Sequence, residues 1–301
     1  MHDASTQHWL DSLQKLTPAD KAVLITVTAT RGSVPRTAGT RMLVTASTQH
    51  DTIGGGHLEW KAVATARLWL SEGAGDTACE RHLGLALGPS LGQCCGGTVS
   101  LKLERVDRWS PQQAAQNIAD FLGQRKQLPQ LFLFGAGHVG SALVGILQQT
   151  PCQITWVDER DHLFPSGLNS HVDIEATDTP EAVIAAAPPG AYFLVMTHNH
   201  GLDLLLSEHI LKKRDAAWFG LIGSASKRAR FEHRLRERGI GADSLSHMVC
   251  PIGIAGIAGK EPGVIAVAVA AQLLQLWGER STLSPSEFHP LATPQGHNHA
   301  C

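Results

Sequence analysis

The most restrictive feature of this chain lies near its middle: an apolar run at Phe132 to Phe134, then Gly135-Ala136-Gly137-His138-Val139-Gly140, then apolar positions at Ala142, Leu143, Ile146 and Leu147. A buried strand that turns through G-x-G-x-x-G into a helix is the opening of a dinucleotide-binding βαβ unit. Gly135 permits the tight turn, Gly137 lets a pyrophosphate approach the backbone, and Gly140 lets the helix pack on the sheet. The free amides at His138 and Val139 and the helix dipole face the anion. The next strand, Ile154 to Val157, ends in Asp158, eighteen residues after Gly140, where an acid binds ribose hydroxyls. The spacing predicts a Rossmann-like doubly wound parallel sheet. A plainer reading of the same glycines is that they let a helix lie on a sheet and hold no nucleotide.

The cadence after this point agrees with that fold. Strands are expected at Leu131 to Phe134, Gln153 to Val157, Val172 to Ala176, Ala191 to Met196, Ala217 to Ile222 and His247 to Val249. Helices are expected from the glycine turn to Gln149, from Pro180 to Ala187, and at about 202–213, 225–238 and 262–278. His198, His200 and Asp203 follow a strand at its carboxyl end, as candidates for proton transfer or as solvated polar residues. Gly223, Ser224, Ser226 and Lys227 form a second anion cradle or a capped helix with a basic face. These residues by themselves fit an NAD(P)-dependent oxidoreductase of a small substrate, with His198 or His200 as acid and base.

The first half reads differently. Ala22 to Thr28 and Arg41 to Thr45 are short strands, His57 to Ser71 is a helix entered through Gly54, Gly55 and Gly56, and Cys79 to Leu87 and Thr98 to Val106 are further strands. Ser110 caps a helix with Pro111 at its first position, running to about Phe121. The chain is therefore expected to be α/β throughout: an N-terminal mixed α/β domain with glycine-rich loops at 1–122, a linker at 123–130, the Rossmann-like domain at 131–280, and a disordered tail at 281–301. At 301 residues, two domains of about 150 residues are expected.

Composition bounds the partners. A formal charge of -2 gives no global positive field, so nucleic acid is not an expected partner. The longest apolar stretch, Val264 to Trp277, is shorter than the roughly 20 residues that span a bilayer and reads as a buried helix, so no membrane is expected. The first residues show no secretory pattern, and six scattered cysteines fit reduced, cytoplasmic usage. Cys94 and Cys95 are adjacent and lack zinc spacing, so at most one faces a ligand.

Three N-terminal loops share chemistry: Arg31 to Arg36, Ile53 to Glu59, and Gly92 to Gly97. Glycine nests and arginine forks hold phosphate, and a thiolate is a soft metal ligand. Three tight hairpins with two buried cysteines would look similar.

These stretches carry a resemblance. TRGSVPRTAGTRM (30–42), TIGGGHLEWKA (52–62), LGPSLGQCCGGTV (87–99), LFGAGHVGSALV (133–144), WVDERDHLFP (156–165), VMTHNHGLDL (195–204), GLIGSASKRARF (220–231) and CPIGIAGIAGKEPGVIAVAVAAQLL (250–274) together resemble the xanthine dehydrogenase accessory proteins of the XdhC/CoxI type. The resemblance runs nearly to Trp277. It implies a cytoplasmic maturation factor, a chaperone and not an enzyme, that binds molybdenum cofactor transiently and protects it while a cysteine desulfurase exchanges an oxo for a sulfido ligand. The factor then delivers the cofactor to the xanthine dehydrogenase apoenzyme. On that reading the cofactor meets Arg31, Ser33, Arg36, Gly54, Gly55, Gly56, His57, Glu59, Gln93, Cys94, Cys95, Gly96 and Gly97, with Cys94 or Cys95 near molybdenum. The Rossmann-like half then holds a nucleotide or the pterin phosphate through Gly135, Gly137, His138, Val139, Gly140, Asp158, His198, Gly223, Ser224, Ser226 and Lys227. A homodimer is expected, because paired two-domain folds often close a shared cleft.

Overall fold

The computed structural model describes residues 8–17, 19–72, 77–87 and 96–282. Gln93, Cys94, Cys95 and the tail beyond residue 282 lie outside the described residues. The chain divides into two compact units: residues up to Leu128 together with Gln149–Pro151, and the remainder from Pro129.

The first unit runs α1 (His8–Lys15), β1 (Ala22–Arg31), β2 (Arg41–Thr45), β3 (Gln49–His50), α2 (Gly56–Ser71), β4 (Glu80–Ala86), β5 (Thr98–Arg105) and α3 (Pro111–Lys126). Its sheet has the order β3-β2-β1-β5-β4, and every pair is antiparallel. The start of β1 is a continuous apolar run because both of its faces are covered. Val23, Ile25 and Val27 pack with Leu58, Ala62 and Trp69 of α2, while Ala22 and Leu24 pack with Trp9, Leu10 and Leu13 of α1 and with Phe121 of α3. The short elements α1 and β3 carry no sequence expectation.

The α3 helix begins as the sequence predicts. The Ser110 hydroxyl accepts from the Gln113 amide at 3.2 Å, and the Gln113 side chain accepts from the Ser110 amide at 2.9 Å, a reciprocal capping box. It ends later than expected, at Lys126, so the segment at 123–126 continues the helix. Arg125 and Lys126 in its last turn favour this extension by meeting the negative end of the helix dipole.

The second unit contains β6 (Gln130–Phe134), α4 (His138–Leu147), β7 (Gln153–Asp158), β8 (Val172–Ala176), α5 (Pro180–Ala186), β9 (Tyr192–Val195), α6 (His200–Lys213), β10 (Trp218–Leu221), α7 (Ala225–Glu237), α8 (Ala242–Ser246), β11 (Met248–Val249) and α9 (Pro262–Thr282). All six strands are parallel, in the order β11-β10-β9-β6-β7-β8. Strand order reverses between β6 and β9, which opens a crevice beyond their carboxyl ends. One sheet face is covered by apolar residues of α5, α6, α7 and α8 and the other by α4 and α9. The α9 helix is longer than the expected 262–278, and its Pro262–Glu279 window is long and apolar enough by length and composition to cross a membrane. In the structure Ala266, Val269, Leu273 and Trp277 of this helix pack into the same core as α4.

Candidate functional site

Topology brings the loop at 31–36, the turn at 53–56 and Gly96–Gly97, the described end of the third loop, to one end of their sheet. Strands β1, β3 and β4 each lie antiparallel to an intervening neighbour, so all three run the same way. The loops that follow them therefore leave from the same edge. Beyond a bulge between Val27 and Ala29, β1 continues along β5 and carries Arg31 out beside Thr98. Close approaches confirm the gathering. A Cβ on Gly97 would lie 2.5 Å from the Ser33 carbonyl oxygen and 2.6 Å from that of Arg31, and one on Gly54 would lie 2.5 Å from the Pro35 ring. Gly54 also has φ of 121°, which L side chains rarely adopt. By contrast, a Cβ on Gly96 would meet nothing within 4 Å among the described residues.

Glu59 plays a different part from the one the sequence suggests. Its Oε2 accepts from the Ile53 amide at 3.0 Å, the Gly55 amide at 3.1 Å and the Thr52 hydroxyl, and its Oε1 accepts from the Gln49 amide group at 3.0 Å. Glu59 lies four residues after Gly55, so the first turn of α2 presents the carboxylate back to the loop that enters the helix. Glu59 is thus a positioning residue that holds the triple-glycine turn, and its oxygens face the protein. His57, two residues earlier, is exposed, with its ring 5.3 Å from that of Trp60. Trp60 is 66% exposed, a large ring in solvent on the first turns of α2. Arg31 and Ser33 are exposed and Arg36 is half-buried. Arg41, from the same sequence stretch, instead places its guanidinium over the Phe121 ring at 4.6 Å.

In the second unit the glycine turn divides by role. Gly135 has φ of 121°, and a Cβ there would lie 2.4 Å from the Met196 carbonyl oxygen. A Cβ on Gly140 would lie 2.2 Å from the Gly135 carbonyl oxygen. These two glycines are demanded by the packing of the chain itself. Gly137 is not: a Cβ there meets nothing within 4 Å, which leaves open the approach that a ligand phosphate uses.

Asp158 ends β7 and is 3% exposed in its side chain. Its Oδ2 accepts from the Ala136 amide at 2.7 Å and from Arg160 Nη2 at 2.8 Å, and its Oδ1 accepts from Arg160 Nε at 2.8 Å and the Arg160 amide at 3.0 Å. Burial alone would raise this carboxyl, but the bonds from Arg160 and the two amides outweigh it and hold the pKa at about 2. The acid expected to read a ribose is thereby engaged by the protein.

An open crevice lies beyond the carboxyl ends of β6, β7, β8 and β9. Its apolar walls come from Phe134, Val157, Pro180, Leu202 and Leu206, and its polar rim from Glu159, Asp178, Thr197 and His198. His198 Nε2 and Glu159 Oε1 stand 3.6 Å apart, each side chain about half exposed. His200 and His138 begin α6 and α4 and are exposed.

The second cradle is a capped helix. The Ser224 hydroxyl accepts from the Lys227 amide at 3.2 Å and lies 2.9 Å from that of Ser226. Lys227, grouped with the anion-binding residues in the sequence, turns inward: its Nζ donates to Asp203 Oδ2 at 2.6 Å and to the Ile222 carbonyl at 2.8 Å. Asp203 is fully buried, and its other oxygen accepts from the Thr197 hydroxyl at 2.7 Å and the Thr197 amide at 3.1 Å. The signal for this pair in the sequence is weak, since it joins two helices 24 positions apart. Sequence reasoning also missed Arg160 and Glu159, both within a stretch it quoted.

Comparison with known proteins follows the same division. Residues 131–273 match the family described as the XdhC Rossmann domain, and residues 16–79 match the XdhC and CoxI family. Uncharacterized protein YqeB of Escherichia coli (strain K12) is 26% identical over 252 residues, which is 82% of this chain and 42% of that protein. The chain thus spans less than half the length of that relative. A solved structure described as a xanthine dehydrogenase from Bacillus halodurans matches with a TM-score of 0.71 at 20% identity, covering 94% of this chain and 98% of the other. That likeness is one of fold.

Proposed function

From the premise that this chain belongs to the XdhC and CoxI family, we propose that it is an accessory factor for xanthine dehydrogenase whose cargo is the molybdenum cofactor. It binds the cofactor at the N-terminal loops, shelters it while a cysteine desulfurase supplies sulfur, and hands it to the apoenzyme. It acts as a homodimer and carries out no turnover of its own. The observation that carries this reading is the meeting of three loops at one sheet end, with Arg31, Ser33 and Arg36 beside Gly54–Gly56 and Gly96–Gly97. The donor set suits the cargo: exposed guanidinium and backbone amides suit a pterin phosphate, and Cys94 and Cys95, next in the chain to Gly96, supply soft sulfur toward molybdenum.

The test mixes the purified chain with molybdenum cofactor without oxygen, separates free ligand, and measures retained molybdenum and pterin, then transfer to apo-xanthine dehydrogenase. Stoichiometric, transferable retention is expected. Cys94→Ala and Cys95→Ala, singly and together, should lower retention; unchanged retention and activation in all three would remove the thiols from the site. The crevice of the second unit favours a second reading, a nucleotide-dependent oxidoreductase. Nicotinamide turnover on small alcohols or acids, with no molybdenum retained, would establish it in place of the first.

A further inference from the structure

We infer that the crevice at the switch point of the second unit is a nucleotide site that takes an unphosphorylated ribose, read by Glu159 and His198 and not by Asp158. The inference is independent of the cargo reading, because it concerns only the second unit.

The crevice lies where an open parallel sheet binds its ligand, beyond the carboxyl ends at the reversal of strand order. Its walls are apolar and its rim polar, the division that a base and a ribose require. A carboxylate offers about four acceptor positions. All of those on Asp158 are taken, by the Ala136 amide and by three donors of Arg160. A ribose hydroxyl would have to displace a bidentate guanidinium, so Asp158 positions the glycine turn by its Ala136 amide and leaves the sugar to others. Glu159 is the next residue, lines the crevice and, among the described residues, makes no such bond. Its carboxylate and the His198 ring face each other from the ends of β7 and β9 across 3.6 Å, longer than a hydrogen bond. Vicinal hydroxyls set side-on against the exposed edge of this pair reach both groups, one donating to Glu159 Oε1 and the other bonding His198 Nε2. The open side of Gly137 admits the phosphate that follows the sugar.

Charge sets the selectivity. Glu159 and Asp178 both line the crevice, and a 2′-phosphate placed there meets two carboxylates. Arg160, the nearby cation, is committed to Asp158. Like-charge opposition of this kind works against the phosphorylated competitor.

Isothermal titration of the 301-residue chain with NAD+ and with NADP+ tests this. NAD+ should bind, and NADP+ should bind at least about tenfold more weakly. Glu159→Gln, a half-exposed position whose change leaves the core intact, should weaken NAD+ about tenfold and narrow the gap between the two nucleotides. His198→Ala should weaken both. Equal or tighter binding of NADP+ would assign the sugar to Arg160 and overturn the inference. So would unchanged NAD+ binding in Glu159→Gln, or no binding of either nucleotide by the wild-type chain.

Discussion

Asp158 and Asp203 are buried acids with a cation against each, and the two pairs lead to different expectations. Asp203 is fully buried and Lys227 nearly so; Lys227→Met leaves a carboxylate uncompensated in the core and should cost about 3–5 kcal/mol. Adding Asp203→Asn, which keeps an acceptor for Thr197, should recover part of that loss, since the two sites share one interaction. Urea unfolding of the two single variants and the double measures the coupling. Asp158 instead responds to pH. Its pKa is lowered from 3.8 to about 2, so the folded state favours the charged form. The stability it contributes is fully present above pH 4 or so and is lost as pH falls toward 2. The urea midpoint of the wild type should therefore drop across that window, and Asp158→Asn should lack that component of the drop. Neither pairing was legible in the sequence. Asp158 was found by its spacing from Gly140, but its use was assigned to a ribose because a spacing rule carries no account of Arg160, two residues on. Lys227 and Glu59 likewise read as outward-facing ligands, and only the turn of each helix showed that their charges point home.

At the scale of elements, the β6–turn–α4 unit separates glycines that the fold needs from the one it does not. Gly140→Ala brings a methyl to 2.2 Å from a backbone oxygen, which should cost about 1–3 kcal/mol as helix and strand move apart. Gly137→Ala meets open space and should change stability by less than about 0.5 kcal/mol, yet should weaken NAD+ in the titration above. Thermal unfolding with and without the nucleotide distinguishes the two. The capping box of α3 gives a third expectation, a loss of about 1 kcal/mol for Ser110→Ala in urea unfolding. Elements were the best-read level of the chain. Strands β2 and β8 match the sequence expectation to the residue, and most others lie within a few positions. The failures have local causes: α3 overran its expected end because helix-favouring residues follow Gly123, and α1 and α8, of 8 and 5 residues, are too short for periodicity to register.

For the molecule as a whole, the two units each hold their own cores, two in the first and two in the second. Residues 129–282 expressed alone should therefore unfold in one cooperative transition by circular dichroism, with an amplitude typical of a mixed α/β domain; a broad, non-cooperative melt would show that this unit leans on the first. The sequence by itself determined the class of both units, the order of the longer strands and helices, the glycine turn and the family, because periodicity, turn chemistry and motif spacing are properties of neighbouring residues. Tertiary structure alone decided what those residues face. Strand direction in the first sheet brought loops from 31–36, 54–56 and 96–97 to one edge, and the reversal of strand order in the second placed Glu159 opposite His198. Such meetings join residues tens of positions apart, and a linear pattern holds no distance between them.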